Sequence, residues 1–572
     1  MNRHKRQTAP DPPSWRRHFL LGLLAVAAVA LEVRLAWLQL IQGDFLTAAG
    51  EQLQQRVVEM PVHRGLITDR FGEPLAVSTP VESIFVNPQE IPLDREVIYA
   101  LADAVGKDGA DLEREITSRL DKEFLWIKRR LAPRDAARVL ELEIPGVSSR
   151  HEYKRFYPQH EVACHLIGIT DSDDAGLEGI EYRYDHRLTG EPGSKSVLRD
   201  VHGRQVADIE QIEPAIPGRD LLTSIDLRLQ YPAYRELKSV VQASGASSGS
   251  MVILDVTTGE VLAMVNQPSC NPNDSGARSD MARFRNRAIT DPIEPGSTVK
   301  PLVLATALES GYRPETLIDV PQILEFAGEE LTRDSRPLGI VTVREILARS
   351  SSVGMGTIAA ELDTARVWQT LKNFGIAGAT DSQLGGIESH GSLENYEYWG
   401  EKKRRTISYG YGLSVTPLQL ARAYAAIASG GLLPPISYEA LTAPPERVQV
   451  ISPTIAAELM AMLETVVGDG TARRAAIPNY LVAGKTGTAR IHQSGGYSDR
   501  YRALFVGIAP ASQPRFVAVV LINDPQGAEY EGGQVAAPVF AKVIGAALRM
   551  YGVAPDAIEP AATLIARAGI AR

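Results

Sequence analysis

Pro295-Gly296-Ser297-Thr298-Val299-Lys300, running on into Pro301-Leu302-Val303-Leu304-Ala305-Thr306-Ala307-Leu308, reads as a turn that feeds an apolar helix. Ser297 then stands at a helix start, with Lys300 one turn later on the same face. A hydroxyl there gains from free backbone N–H groups and the positive end of the helix dipole. Taken alone the pattern is weak, because a bare Ser-x-x-Lys is expected about once or twice in a chain of this size. Two later clusters sharpen it: Ser350-Ser351-Ser352, and Lys485-Thr486-Gly487-Thr488. Together they supply a serine nucleophile, two lysines to manage its proton, a hydroxyl relay and a glycine-bearing strand edge. That is a kit for acyl transfer through a serine ester.

The third cluster follows Tyr480-Leu481-Val482-Ala483 and precedes a turn-rich stretch, His492-Gln493-Ser494-Gly495-Gly496. Ala503 to Ile508 and Phe516 to Asn523 come next, which predicts three neighbouring antiparallel strands, the first carrying the lysine. Gly487 inside a strand marks close approach of another chain or of a substrate backbone. Upstream, a helix is expected from Leu227 to about Val241, then a hairpin of Ser250 to Asp255 and Glu260 to Val265 turning at Thr257-Thr258-Gly259. A nucleophile on a helix and a basic motif on a sheet edge give an α+β domain with its site where helix meets sheet.

This motif set, with Asn286-Arg287-Ala288-Ile289-Thr290-Asp291, Tyr409-Gly410-Tyr411-Gly412-Leu413-Ser414-Val415-Thr416-Pro417, Tyr530-Glu531-Gly532-Gly533 and Ala537-Pro538-Val539-Phe540, resembles the class B penicillin-binding proteins of the cell-division type. Arg64-Gly65-Leu66-Ile67-Thr68-Asp69-Arg70 extends the likeness towards the N-terminus, and it covers roughly residues 19 to 553. The resemblance implies a penicillin-binding, serine β-lactamase-like transpeptidase domain over 221–553, carried on an elongated, mainly β pedestal over 41–220. A cytoplasmic tail (1–18), a transmembrane anchor (19–40) and a C-terminal tail (554–572) complete the expected organisation.

It further implies a peptidoglycan D,D-transpeptidase that binds β-lactams. Ser297 would attack the penultimate D-alanine of a stem peptide, Lys300 would act as general base, and Ser350 would pass a proton between Lys485 and the leaving amine. The N–H groups of Ser297 and Thr488 would hold the oxyanion, while Thr486, Thr488 and Lys485 receive the terminal carboxylate, with Gly487 opening the strand to substrate. For Lys300 to serve, its charged form must be disfavoured, and both burial and the cation of Lys485 are expected to do so. One residue departs from the pattern: Ser352 stands where the family carries asparagine, so a short hydroxyl replaces a carboxamide in the substrate grip.

Composition sets the remaining bounds. A net charge of −9 and a pI near 5.7, with no basic stripe, argue against a nucleic-acid binder. The ten histidines include no His-Glu-x-x-His, and no paired cysteine spacing occurs, so neither metal nor cofactor is expected. Cys164 and Cys270 fall in different expected domains, which favours two thiols over a disulfide.

Arg3, Lys5, Arg6, Arg16 and Arg17 precede an apolar run from Phe19 to Leu31, which continues to Leu40 past Glu32 and Arg34; the positive-inside rule leaves the tail cytoplasmic. A cleaved signal peptide ending near Ala28-Val29-Ala30 is the rival reading.

The glycines, acids and arginines of Gly176-Leu177-Glu178-Gly179-Ile180-Glu181 and Arg199-Asp200-Val201-His202-Gly203-Arg204 are expected to fix turns and salt bridges. Helices are expected at Arg95 to Val105 and Pro133 to Leu142. No glycosyltransferase domain precedes the pedestal, so the resemblance implies a separate polytopic polymerase such as FtsW, contacted through anchor and pedestal. A β-lactamase would need a deacylating water held by a class A-like glutamate motif, and none is evident. A penicillin sensor would carry a longer cytoplasmic segment. A weakly active or non-catalytic division scaffold, suggested by Ser352, and a side-wall transpeptidase remain the alternatives to septal cross-linking.

Overall fold

The structure is a computed structural model describing residues 14–42, 55–199, 205–274, 280–382, 384, 388–493 and 496–557. The expected C-terminal tail from 558 onward, the first 13 residues and the motif over 200–204 lie outside the described residues.

The described residues form two compact units. Those within 1–62, 80–153 and 191–216 make one; those within 63–79, 154–190 and 217–572 make the other. In the first, Gln55–Met60, Gly193–Arg199 and Gln205–Glu213 make a three-stranded antiparallel sheet. Helices Arg95–Val105 and Gly109–Thr117 start where Asp94 and Asp108 accept N–H groups of the first turn. With Pro133–Leu140 they bury Ile98, Leu101, Leu112, Ile116 and Val139 in a core of their own.

The second unit is built on a five-stranded antiparallel sheet in the order Val261–Gln267, Ser248–Asp255, Phe516–Asn523, Gly496–Ala509, Ala483–Gln493. Phe516–Asn523, apolar up to its last residue and buried throughout except at Asn523, takes the middle place. The strand bearing Lys485 takes the edge. On one face Phe540 of helix Ala537–Met550 packs edge-on against Phe505, and Leu237 and Val241 of helix Leu227–Ala243 close over Gly249. The other face, through Lys485, Gly487 and their cross-strand partners Val506 and Leu504, turns to the nucleophile segment. Helix Pro417–Ala428, entered through a Thr416/Gln419 capping box, is almost wholly buried behind that segment.

The first turn motif acts as a scaffold. Arg64 Nε and Arg155 Nε each donate to a different oxygen of buried Glu181 at 2.6 Å, and Arg64 reaches Asp185 at 2.7 Å. A buried carboxylate shared by two guanidinium groups ties three distant segments together.

The cysteines correct the expectation of two thiols. Cys164 and Cys270 are joined in a disulfide, Cα to Cα 5.9 Å, packed beside Ile169 and Phe284. The expectation assumed that everything before residue 221 packs apart from the later chain. Residues 154–190 instead fold within the second unit, which brings the two sulfurs together.

Candidate active site

Ser297 lies in a single 3₁₀ turn, Gly296–Val299, and Lys300 opens the α-helix Lys300–Glu309. The expected helix start is therefore a tighter turn by one step. At three residues per turn the side chains of i and i+3 eclipse, so Ser297 and Lys300 still share a face. Gly296 adopts φ +53°, which a side chain there would oppose. The Tyr424 hydroxyl, fully buried, donates to the Thr298 carbonyl at 2.7 Å, and Thr298 Oγ1 donates to the Pro295 carbonyl at 2.7 Å. The turn is thus held from beneath while Ser297 stays partly exposed.

The close approach expected at Gly487 is made by the chain itself. A Cβ there would lie 3.0 Å from both the Pro295 carbonyl oxygen and Thr298 Cγ2. Any larger residue would push the edge strand off the nucleophile turn.

Ser350 joins the two lysines. Lys485 Nζ lies 2.8 Å from its hydroxyl, and Lys300 Nζ lies 2.6 Å from its carbonyl oxygen and 3.4 Å from its hydroxyl. Ser350 holds φ +57°, a left-handed conformation uncommon for a side-chain-bearing residue, at the end of helix Val343–Ala348. Ser352, first residue of helix Ser352–Glu361, places its hydroxyl 3.3 Å from Lys300 Nζ. The departure from asparagine therefore leaves a hydroxyl in contact with the central lysine.

Both lysines are completely buried. Burial pushes the Lys300 ammonium down to about 7, against the attraction of the Asp334 carboxylate. Burial and the cation of Lys300 push Lys485 well below its ordinary value. The repulsion expected to fall on Lys300 thus falls on Lys485, because Asp334 supports the charge of Lys300 alone. Two ammonium groups around one hydroxyl in a desolvated site are not both charged at neutral pH.

Thr486 shares a 2.7 Å hydroxyl contact with Thr471, and the Thr488 hydroxyl accepts the Gly532 N–H at 3.2 Å. A hydroxyl that accepts from the backbone keeps its own proton to donate.

Asp334 is the residue that sequence reasoning missed. Its carboxylate accepts from the Ser351 hydroxyl and from the Ser352 N–H at 3.0 Å, clamping the turn that carries all three serines. Asp334 lies just past the strand Glu329–Arg333, in a segment with no local pattern to announce it. Its partnership is made by tertiary folding.

Residues 249–545 match the model of the penicillin-binding protein transpeptidase domain, and 59–223 that of the penicillin-binding protein dimerisation domain. The chain is 40% identical over 552 residues to the peptidoglycan D,D-transpeptidase FtsI of Escherichia coli K12, covering 95% of this chain and 93% of that protein. The chain belongs to the penicillin-binding transpeptidase family, FtsI type. A probable peptidoglycan D,D-transpeptidase of Pseudomonas aeruginosa, PbpC, is 37% identical across 96% of this chain and 97% of its own length. A peptidoglycan synthetase of Bifidobacterium adolescentis shares the fold, with a TM-score of 0.71 and 24% identity over 89% of this chain and 98% of that one.

This FtsI-type chain is therefore a peptidoglycan D,D-transpeptidase with the penicillin-binding fold. Its helix Ser14–Leu40 contains the span Arg17–Leu40, 24 residues long and apolar enough to cross a membrane, as a single-pass protein requires.

Proposed function

We propose that cross-linking runs through an acyl-enzyme on Ser297, with Lys300 as the base. The observation that carries this reading is the continuous chain Lys300–Ser350–Lys485, in which one hydroxyl stands within 3.4 Å of two buried amines.

Neutral Lys300 takes the Ser297 proton as Oγ attacks the penultimate D-alanine carbonyl. The oxyanion is held by the Ser297 and Thr488 N–H groups, each donor being worth about 3 kcal/mol. The tetrahedral adduct collapses as a proton passes through Ser350 to the departing D-alanine amine. An acceptor amine then opens the ester. The terminal carboxylate, bound by Thr486, Thr488 and Lys485, favours the charged form of Lys485. By repulsion that keeps Lys300 neutral, so substrate binding itself arms the base.

We place the catalytic unit on the outer side of the inner membrane, its tail inside, at the septum, working beside a polytopic glycosyltransferase such as FtsW. The Cys164–Cys270 bond supports that side, since disulfides persist in oxidising compartments.

Incubation with a fluorescent penicillin is expected to label the chain on the peptide containing Ser297, located by mass, and Ser297→Ala should remove the label completely. A variant that still becomes labelled, or a native chain that never does, ends the acyl-enzyme reading. Ser352→Asn is expected to be labelled at least as fast as the native chain, because the longer amide restores a donor and an acceptor to the substrate grip. Markedly slower labelling means that Ser352 fills this place by its contact with Lys300 instead.

A further inference from the structure

A polar cavity of about 230 Å³ opens on the face of the sheet that also carries Lys485. Its walls bring together Arg285, Arg287 and Arg502. Among the described residues Asp291 is the one carboxylate that lines it, and that group is occupied by Arg285 at 2.6 Å and by the Thr290 hydroxyl at 2.8 Å. Arg287, 15% exposed, lies 4.0 Å from the same carboxylate and otherwise donates to the backbone carbonyls of Ala282 and Arg285.

Arg502 donates through Nε to Asn523 at 3.1 Å; its two terminal amino groups have no hydrogen-bond or ion-pair partner among the described residues. Glu294 and Asp291 act on it only through space, and Arg500, which repels it, is itself paired with Asp524. Burial lowers both Arg287 and Arg502 from their ordinary values, as happens when guanidinium charge is enclosed without a full complement of anions. Half-buried arginines in a cavity, with unused donors in a planar fork, are built for a carboxylate.

The position relates this cavity to the reaction. Arg502 is the cross-strand partner of Ala489, and Ala489 Cβ lies 3.3 Å from where a Cβ on Gly296 would stand. From Lys485 to Ala489 is four residues of strand, about 14 Å. An extended peptide of about four residues covers the same distance.

We propose that this cavity receives a pendant carboxylate of the stem peptide, gripped by the terminal amino groups of Arg502 with the charge of Arg287 behind it. The assignment rests on the acyl-enzyme reading above and extends it from the D-alanine end of the donor to its acidic side chains. Two thioester donors ending in D-alanine, alike except that the side-chain carboxylate is free in one and amidated in the other, test it.

In the native chain the free acid should show a KM about tenfold lower, the worth of one charged hydrogen-bonded contact, with kcat alike. In Arg502→Gln the ratio of the two KM values should fall to near one. Because the ratio compares two substrates in one preparation, it does not depend on how much of that preparation is folded. Should Arg502→Gln be unobtainable, Ser248→Glu, which sets a carboxylate of the protein's own at the half-exposed cavity wall, should also abolish the ratio.

A native chain that treats the two donors equally, or a variant that keeps the preference, overturns the proposal. Inorganic phosphate that raises the melting temperature while the donors remain equivalent assigns the cavity to a free anion and overturns it too. Failure of penicillin to label Ser297 is a separate result, and it falls on the mechanism rather than on the cavity.

Discussion

Lys300→Met is expected to slow acylation by penicillin about 100- to 10,000-fold, the range associated with loss of a positioned general base, while the melting temperature rises. The two effects share one cause. Lys300 is fully buried, and its ammonium is pushed down to about 7, so at neutral pH the folded chain holds a site that resists the proton the unfolded chain keeps. Between that value and the ordinary lysine pKa near 10.4 the unfolded state binds more protons, and stability falls as pH falls through the window.

Methionine, of similar volume and with no charge, removes that liability at the cost of the Lys300 bonds to the Ser350 carbonyl and to the Ser350 and Ser352 hydroxyls. The stabilisation should therefore be largest near pH 7 and shrink as pH approaches 10. In the native chain the acylation rate should rise with pH through about 7 as Lys300 loses its proton, and the residual rate of Lys300→Met should lack that step. Stopped-flow acylation across pH 5.5 to 9, beside calorimetric melts of both proteins, checks the pair. A variant that keeps the step near pH 7 assigns the base elsewhere.

What could be read in the chain without its structure follows from how local each signal is. The helix expected from Leu227 to about Val241 ends at Ala243, and Arg95–Val105 falls where its amphipathic spacing puts it. Both have an aspartate cap and an apolar stripe written within a few residues. The three strands around Lys485 were legible because each is a short run, largely apolar, set off by turns within contiguous sequence. The Ser297 turn was misjudged by one step, since a 3₁₀ turn and the first turn of an α-helix carry nearly the same residues.

Two features were out of reach. Asp334 holds the Ser350 turn and the charge balance of Lys300, but nothing near it in the chain marks it. The cysteine pair depends on where residues 154–190 pack, which no spacing of cysteines encodes. In both cases the deciding contact joins segments whose proximity exists only after folding.

Removing the Cys164–Cys270 bond is expected to cost about 4–5 kcal/mol of stability, because closing a loop of roughly 100 residues removes that much chain entropy from the unfolded state. Its sequence separation is 106 residues, which places it at the upper end of that scale. Acylation should change far less. The same seam is held independently by the Ser269 hydroxyl on the Glu161 carbonyl at 2.7 Å, by Gln230 on the Val162 carbonyl at 2.8 Å and by Asn273 on the Tyr157 carbonyl at 2.8 Å. Those bonds keep the native packing in place whether or not the sulfurs are joined.

A Cys164→Ala/Cys270→Ala chain should therefore melt several degrees lower, be labelled by penicillin at close to the native rate, and be indifferent to reductant. The native chain should lose a similar increment when reduced. Thiol titration of the unfolded native protein decides the premise: two reactive thiols without prior reduction would show that the bond does not form, and the argument it lends to an outward-facing catalytic unit would fall with it. No free thiol, with a reductant-sensitive melt, ties the fold of residues 154–190 to the oxidising side of the membrane.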